Sequence, residues 1–444
     1  MIKKDVLLIQ NLVALFLIIN MYSIVKSLSG LFFALIIQLI LFFITCKVDT
    51  LLSKYLLYGW IFGLLILSLV YIGYKDHNGI PYFTAAYNDD QKFEKYAVEY
   101  NLGNYNFISF KYNNFTHYNI QYAIYIQILS WFIDFGNLFD GYSTILPRLF
   151  NILLILLQML FIYSSCNKLY NFNKTQNKVL LSFLAFFPNI YYLGSFVFRD
   201  TLCAFLVVLM FWGVIKLKEK KIYILLCLFD IFILFYLREL LAYFCLFILF
   251  ILIFKESKSK VRFGLVIVFI SIAFVMHENI YLLLMNGLGR AADFTENAIS
   301  YNSMSMTSRI AGVPILPFGI LFRMIYGFIT PFSTIKELFI SDETFFYTSI
   351  HFIVNIIGTL ALLCCIPKIT MSFKKFDIVN LMMCFMVIFF CCSFVFRHML
   401  LVYPFVFICI ARESGTFIKK ETRQFSIIYI FIIIIFYLSI NFLS

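Results

Sequence analysis

Charged side chains are scarce in this sequence. Asp, Glu, Lys and Arg make up only 13% of the 444 residues, whereas 63% are hydrophobic and the mean hydropathy is +0.93. A soluble globular chain is nearer half apolar and a quarter charged. Apolar runs of about 15 to 20 residues recur from end to end, each roughly long enough to cross a bilayer. The shortage of charge therefore excludes an ordinary soluble domain and predicts an all-α, polytopic transmembrane helix bundle.

The cysteines lack the pattern of a disulfide framework or a metal site. All eleven lie in or at the ends of apolar runs, and the polar segments have none. The neighbouring pairs Cys364-Cys365 and Cys391-Cys392 do not have the spacing of metal ligands. The sequence favours polarizable packing residues at these positions.

Negative charge is scarcer than positive charge, with 23 Asp and Glu residues against 35 Lys and Arg residues. When the chain is threaded through a bilayer from an inner amino terminus, most of the basic residues fall in short inner connections. The outer segments are then slightly acidic, as the positive-inside rule requires. The net charge of +12 therefore orients the protein in the membrane. We expect a cytoplasmic amino terminus, the lipid bilayer as a partner, and no nucleic-acid partner.

The apolar runs predict about thirteen spans in a single integral membrane domain, residues 1–444. The first run, residues 6–24, lacks a small-residue cleavage pattern and is expected to remain as a helix. No internal repeat or low-complexity tract interrupts the series. The predicted spans are residues 6–25, 30–46, 55–74, 148–167, 178–197, 201–216, 222–237, 240–254, 263–277, 347–366, 377–396, 399–411 and 425–443.

Two long polar segments are predicted to be outer, periplasmic loops. The first covers residues 75–147, and its apolar stretch 118–135 predicts an interfacial helix. If this stretch crossed the membrane, the basic segment after residue 167 would lie on the outer side, against the positive-inside rule. The second covers residues 278–346. Its apolar run 315–329 is short and flanked by proline, which favours a re-entrant or surface segment.

Polar residues beside the membrane are costly and therefore informative. Asp89 and Asp90, with Glu94 one turn later, predict either a proton-accepting or metal-holding site or a solvated turn that caps a helix. Arg199-Asp200 lies between two predicted spans. It is either an arginine fork for a phosphate, with an orienting carboxylate, or an interfacial ion pair.

Two further groups lie at the predicted outer rim. Arg238-Glu239 joins two spans with almost no loop, and Arg397-His398 lies near the end of the chain. Arg323 belongs to the second outer segment. A single arginine between apolar runs can extend to the membrane surface without a functional role. Several outward arginines that converge on one cavity would form a site for an anionic lipid headgroup.

Charge is nearly absent from the middle of the spans. Asp230 is the exception, and it is either a proton-relay residue or a carboxyl group hydrogen-bonded between helices. A flippase or transporter should show repeat symmetry and charged or broken helices near the midplane. The charge at the outer rim instead favours chemistry at the membrane surface.

The order of these features resembles two classes of bacterial membrane enzyme. One is the GT-C class of multi-span glycosyltransferases, which use polyprenyl-phosphate sugars, and the other is the Wzy-type O-antigen polymerases. The resemblance covers most of residues 80–410 and rests on order and spacing. GT-C enzymes place the carboxylate loop after the first span, whereas two additional spans precede it here. The motifs that carry the resemblance are Asp89-Asp90, Gly141-Tyr142-Ser143…Pro147-Arg148-Leu149-Phe150-Asn151, Phe187-Pro188…Ser195…Arg199-Asp200 and Phe396-Arg397-His398…Tyr403-Pro404.

The resemblance implies roles for the candidate residues. Asp89 or Asp90 would activate the acceptor or hold a divalent metal, Mg²⁺ or Mn²⁺, and Asp200 joins them in the catalytic set. The residues assigned to the diphosphate or lipid headgroup are Arg199, Arg238, Arg323, Arg397 and His398.

The expected function is an O-antigen or surface-polysaccharide polymerase. It would join undecaprenyl-diphosphate-linked repeat units on the periplasmic face of the bacterial inner membrane. The alternatives are a GT-C transferase that adds one sugar from a polyprenyl-phosphate donor and, less well matched, a lipid-linked oligosaccharide flippase. The protein partners that the resemblance implies are a chain-length regulator and a flippase.

Overall fold

The computed structural model describes residues 2–84, 89–103, 123–256, 319–329, 344–374, 376–393, 395–414 and 431, and these parts are helical, without strands. The predicted spans 263–277 and 425–443, and most of the second outer loop, lie outside the described residues. The helices of the described residues are α1 (Ile2–Val25), α2 (Leu28–Lys47), α3 (Thr50–Asn78), α4 (Asp89–Leu102), α5 (Ala123–Asn137), α6 (Ile145–Tyr170), α7 (Lys174–Phe186), α8 (Pro188–Gly194), α9 (Asp200–Lys216), α10 (Tyr223–Leu237), α11 (Glu239–Glu256), α12 (Ile320–Ile329), α13 (Phe345–Leu363), α14 (Ile366–Ser372), α15 (Ile378–Ser393) and α16 (Tyr403–Glu413).

Five of these helices are long and apolar enough to cross a membrane: α1, α2, α3, α6 and α13. Helices α10, α11 and α15 are apolar but shorter, and a helix perpendicular to the membrane needs about 20 residues to cross the hydrocarbon region. The all-helical fold is therefore confirmed for the described residues, with five helices able to cross a membrane. The number of about thirteen spans stays a prediction.

The structure divides the predicted span 178–197 at Pro188. Helix α7 ends at Phe186, and α8 begins at Pro188, because proline has no N–H and disfavours helical backbone in the residue before it. The carbonyl of Leu184 accepts a hydrogen bond from the Tyr191 hydroxyl at 3.1 Å instead. Helix α8 stops after two turns, and a buried loop, residues 195–199, leads into α9.

The helix connections gather at two ends of the bundle. At one end, Asp377 accepts hydrogen bonds from Tyr170 and Arg412, both at 2.5 Å, and Lys168 pairs with Glu219. These contacts bring together segments that the charge pattern assigns to one side of the membrane. The candidate site lies at the opposite ends of the same helices.

The predicted interfacial helix corresponds to α5, which packs against α4. Asn101 of α4 donates to Asp134 of α5 at 2.6 Å. After α5, the Asp140 carboxylate accepts the backbone N–H groups of Leu28 at 2.6 Å and Ser29 at 2.9 Å. An anion at the amino terminus of a helix is favourable, so Asp140 ties the first outer segment to α2.

We expect Gly73→Ala to lower the free energy of unfolding by about 1–3 kcal/mol, the usual cost of overpacking. A Cβ atom at Gly73 would lie 2.9 Å from the backbone nitrogen of Tyr347, where α3 and α13 meet. Gly213→Ala is the matched control, because its Cβ would meet only the side chains of Cys227, at 2.9 Å, and Leu226 and one distant backbone oxygen. Thermal unfolding in detergent measures both variants, and equal losses would contradict the prediction.

Candidate functional site

Asp200 is the first residue of α9 and is enclosed by basic side chains. It is 1% exposed, and its Oδ1 accepts a hydrogen bond from Arg238 Nη2 at 2.5 Å. Arg397 Nε lies 3.1 Å from Oδ2, and His398 Nε2 lies 3.5 Å from Oδ1. The amino terminus of α9 adds favourable helix-dipole charge. With Arg199, these residues form what we call the arginine cluster.

Helix ends explain why two of these arginines meet. Arg238 is the one residue outside the helices between α10 and α11, in extended conformation. Arg199 Nη1 donates to the carbonyl of Leu237 at 2.5 Å, where α10 ends and its last carbonyls have no helical partner. Arg199 thereby fastens the start of α9 to the α10–α11 junction. The cluster depends on this break in the helical backbone.

Arg397 and His398 come from the 3₁₀ turn Phe396–Leu401 between α15 and α16. The Arg397 guanidinium lies 4.7 Å from the ring centroid of Phe198. His398 Nδ1 is hydrogen-bonded to the hydroxyl of Ser393, which directs Nε2 towards Asp200. Burial, and then the charge of Arg238, lower the pKa of His398 well below its usual value. The imidazole is therefore neutral near pH 7.

The arginine cluster brings three guanidinium groups and a neutral imidazole to the buried carboxylate of Asp200. The adjacent Glu239 accepts a hydrogen bond from Tyr243 of its own helix at 3.4 Å. Arg238 Nε and His398 Nε2 are buried and have no hydrogen-bond partner among the described residues. A buried polar atom without a partner is costly, so the cluster is suited to bind an anion.

A second group, the carboxylate cluster, consists of Asp90 and Glu94 of α4 with Tyr82, Tyr142 and Arg148. Glu94 accepts hydrogen bonds from the hydroxyl groups of Tyr82 and Tyr142, the latter at 2.6 Å. Arg148, fully buried in the first turn of α6, donates to the carbonyl of Pro81. Its Nε and Nη1 have no hydrogen-bond partner among the described residues.

The two carboxylates of the carboxylate cluster differ in their hydrogen bonding. Asp90 accepts the backbone N–H groups of Phe83 at 3.0 Å and Gln91 at 2.9 Å, so it fixes the segment that leads into the helix. Burial raises the pKa of both Asp90 and Glu94, and the Tyr142 and Tyr82 hydroxyls offset part of that rise for Glu94. A carboxyl group whose pKa is raised is better suited to accept and return a proton near neutral pH.

Tyr125 of α5 connects the two clusters. Its side chain is 2% exposed, and its hydroxyl has no hydrogen-bond partner among the described residues. The hydroxyl is close enough to feel the charges of Glu94, Asp200 and Asp90, and burial raises its pKa, so it stays protonated. Arg199 lies 5.9 Å from the ring centroid of Phe93, the residue before Glu94. The clusters therefore adjoin.

An aromatic rim borders both clusters. Phe83, which is 38% exposed, lies 5.2 Å from Phe196 and 6.1 Å from Phe198, measured between ring centroids. Phe198 is the ring that Arg397 covers, and the backbone N–H of Phe83 is bonded to Asp90. A partly exposed ring in this position offers an apolar face to a ligand held by the charged groups.

The structure places the site residues predicted from the sequence in more than one part of the bundle. Arg199, Asp200, Arg238, Arg397 and His398 meet in one cluster. Asp90 lies in the other cluster, and Asp89 begins α4 with its side chain outside the described residues. Arg323 of α12 donates to the carbonyl of Cys391 on α15 at 3.1 Å. Arg323 thus links two helices.

The sequence indicated no role for four residues of the site, namely Tyr82, Tyr125, Tyr142 and Arg148. Tyr142 and Arg148 belong to a motif that carries the resemblance, and Arg148 had a further signal, since a charged residue in the first turn of a long apolar run is costly unless it has a role. Tyr82 and Tyr125 had no signal, because the chain has 29 tyrosines.

The predicted divalent metal stays a prediction. Among the described residues, no group of three or more His, Cys, Asp or Glu side chains is placed to hold a metal ion. The guanidinium groups around Asp200 would repel a divalent cation there.

No protein-family model, curated protein or solved structure matches this chain. The functional conclusion therefore depends on the geometry and chemistry of the two clusters.

Proposed function

We propose that this chain is a polysaccharide polymerase of the bacterial inner membrane. It joins undecaprenyl-diphosphate-linked repeat units on the periplasmic face. The observation that carries the proposal is the convergence of three guanidinium groups on the buried Asp200, beside a second cluster with carboxylates of raised pKa.

The arginine cluster supplies the binding site for the diphosphate. Guanidinium N–H groups form charge-assisted hydrogen bonds to phosphate oxygens, and Arg238 Nε is a buried donor without an acceptor among the described residues. Both oxygens of Asp200 already face basic groups. Asp200 therefore orients the arginines, which differs from the catalytic role that the sequence predicts for it.

The carboxylate cluster supplies the proton acceptor. The acceptor hydroxyl oxygen bonds to the anomeric carbon of the donor sugar, and the bond from that carbon to the diphosphate oxygen breaks. Glu94 takes the hydroxyl proton, and the diphosphate leaves with the bonding electron pair and its added negative charge. Arginines that are fixed before the reaction stabilise that charge. The protonated hydroxyl of Tyr125 is a hydrogen-bond donor between the two groups.

The single-sugar GT-C transferase is the second candidate. The position of Asp90 and Glu94 favours this candidate. Both residues lie on α4, in the predicted first outer loop, and they adjoin the anion site through Tyr125. Its donor has one phosphate instead of two, so the same side chains fit it. The two candidates differ in the product that accumulates when the site fails.

The test is the surface-glycan ladder of the parent strain when its only copy of the gene encodes Arg397→Gln. We expect long chains to disappear while the core with one repeat unit remains, at normal protein level. Loss of one donor that stabilises developing charge lowers rates by about 10²–10³-fold. Lys221→Gln, at the opposite end of the bundle, is the control and should leave the ladder unchanged.

Two outcomes would contradict the polymerase. Loss of the single-unit band in the Arg397→Gln strain would place the step earlier, in single-sugar transfer or in transport. An unchanged ladder, with the variant present at the wild-type level, would remove the arginine cluster from the reaction.

A further inference from the structure

Asp230 is a buried carboxyl group that belongs to neither cluster. It lies at the middle of α10 (Tyr223–Leu237), about 10 Å from either end of that helix at a rise of 1.5 Å per residue. Arg238, the nearest member of the arginine cluster along the chain, is about 12 Å away by the same rise. The Asp230 side chain is fully buried.

Helices α9, α11 and α5 pack against α10. The charged residue of α5, Asp134, accepts a hydrogen bond from Asn101. Cys227, one turn before Asp230, contacts the carbonyl oxygen of Met210 on α9 at 3.7 Å. Cys227 and the buried Cys245 of α11 are the titratable side chains that feel the charge of Asp230. The charged residues of α9 and α11 lie at the helix ends, namely Asp200, Lys216, Glu239, Lys255 and Glu256.

The other side of α10 is apolar and exposed. Leu225 and Phe229 are 63% and 59% exposed, and Phe232 is 55% exposed. In a membrane protein, such a side faces lipid. Asp230 therefore points away from this surface and into the α9–α10–α11 contact.

The sequence left two interpretations open for Asp230, a hydrogen bond between helices or a proton-relay residue. Neither carboxyl oxygen has a hydrogen-bond partner among the described residues, so the structure gives no support to the first. An isolated carboxylate in apolar surroundings is far more costly than the neutral acid, and such a group takes up a proton instead. An ionisable side chain inside a membrane segment marks a functional site by default.

We propose that Asp230 is a proton-binding site at mid-depth of the membrane domain, between α9, α10 and α11. The carboxyl group holds a proton at neutral pH and has no fixed counter-ion among the described residues. This inference does not depend on the proposed glycan chemistry. It adds a proton-carrying group to three helices, α9, α10 and α11, whose other charged residues lie at the helix ends.

The direct test is infrared difference spectroscopy of the full chain in bilayers at neutral pH, comparing wild type with Asp230→Asn. We expect the difference spectrum to contain the carbonyl band of a protonated carboxylic acid. Asp377→Asn is the matched control, because Asp377 is paired with Arg412 and its spectrum should contain carboxylate bands instead. Carboxylate bands alone for Asp230 would overturn the proposal.

A chemical test applies to the unmodified protein. A protonated carboxyl group adds to a hydrophobic carbodiimide: its oxygen bonds to the central carbon, its proton moves to nitrogen, and the adduct rearranges to a stable N-acylurea. We expect N,N′-dicyclohexylcarbodiimide to modify the peptide that contains Asp230, at a rate that falls as the pH rises. A water-soluble carbodiimide should modify exposed carboxylates such as Glu99 instead. Modification of Asp230 by the water-soluble reagent alone would show a hydrated site and overturn the proposal.

Discussion

Asp200→Asn is expected to lower the free energy of unfolding by about 3–5 kcal/mol, because it removes one partner of a buried ion-pair network. The asparagine amide is close in size to the carboxylate but has no charge. It therefore cannot offset the charges of Arg238 and Arg397, which lie 2.5 Å and 3.1 Å from the carboxylate oxygens of Asp200. The helix-dipole interaction at the start of α9 is lost as well. Thermal or denaturant unfolding of the protein in detergent measures the change.

The control for Asp200→Asn is Glu219→Gln, which removes the exposed partner of Lys168 and Lys216 at the other end of the bundle. Exposed pairs contribute little, so this variant should unfold with the wild type. The double variant Asp200→Asn, Arg397→Gln should recover part of the loss, because one unpaired cation is removed with the carboxylate. An Asp200→Asn protein as stable as the wild type would show that the arginines are held without Asp200.

The sequence could predict the helical membrane architecture and the location of most helices. Long apolar runs leave few alternatives, since a backbone in lipid must satisfy its own hydrogen bonds. The charge pattern likewise grouped the helix connections correctly, as shown by the contacts of Asp377 with Tyr170 and Arg412 at one end. The break at Pro188 was readable in principle, because proline ends or kinks a helix.

The sequence could not predict how the site residues combine. Arg199, Arg238 and Arg397 lie in three different helix connections, and their meeting at Asp200 is a property of helix packing that no local pattern encodes. The sequence indicated Glu94 only as a neighbour of Asp89 and Asp90. Its suitability as a proton acceptor depends on its burial and on two tyrosine hydroxyls from other segments of the chain. Arg323 had the same sequence pattern as the cluster arginines, and its hydrogen bond to the carbonyl of Cys391 on α15 could not be read from that pattern.

The hydrogen bonds of Asp90 and Glu94 on α4 predict which of the two carboxylates takes the proton. We expect Glu94→Gln to lower the rate of glycan transfer by about 10²–10⁴-fold, the usual contribution of a general base. Asp90→Asn should have a smaller effect, since Asp90 accepts backbone N–H groups from Phe83 and Gln91 and fixes the entry to the helix. The measurement is chain growth by the purified protein on lipid-linked repeat units, with Glu99→Gln, an exposed position of α4, as the control.

The pH dependence separates a base from a structural residue. Burial raises the pKa of Glu94 above its ordinary value of 4.5, and only the ionised carboxylate can accept the proton. The wild-type rate should therefore rise with pH through that raised pKa, at a higher pH than an exposed glutamate would give. Glu94→Gln should lose this acidic limb and keep its affinity for inorganic pyrophosphate, because the arginine cluster is untouched. If the acidic limb of the pH profile persists in Glu94→Gln while pyrophosphate still binds, the base is another group, and Asp90 is the next residue to test. If the wild type does not bind pyrophosphate, the assignment of the arginine cluster as an anion site is wrong.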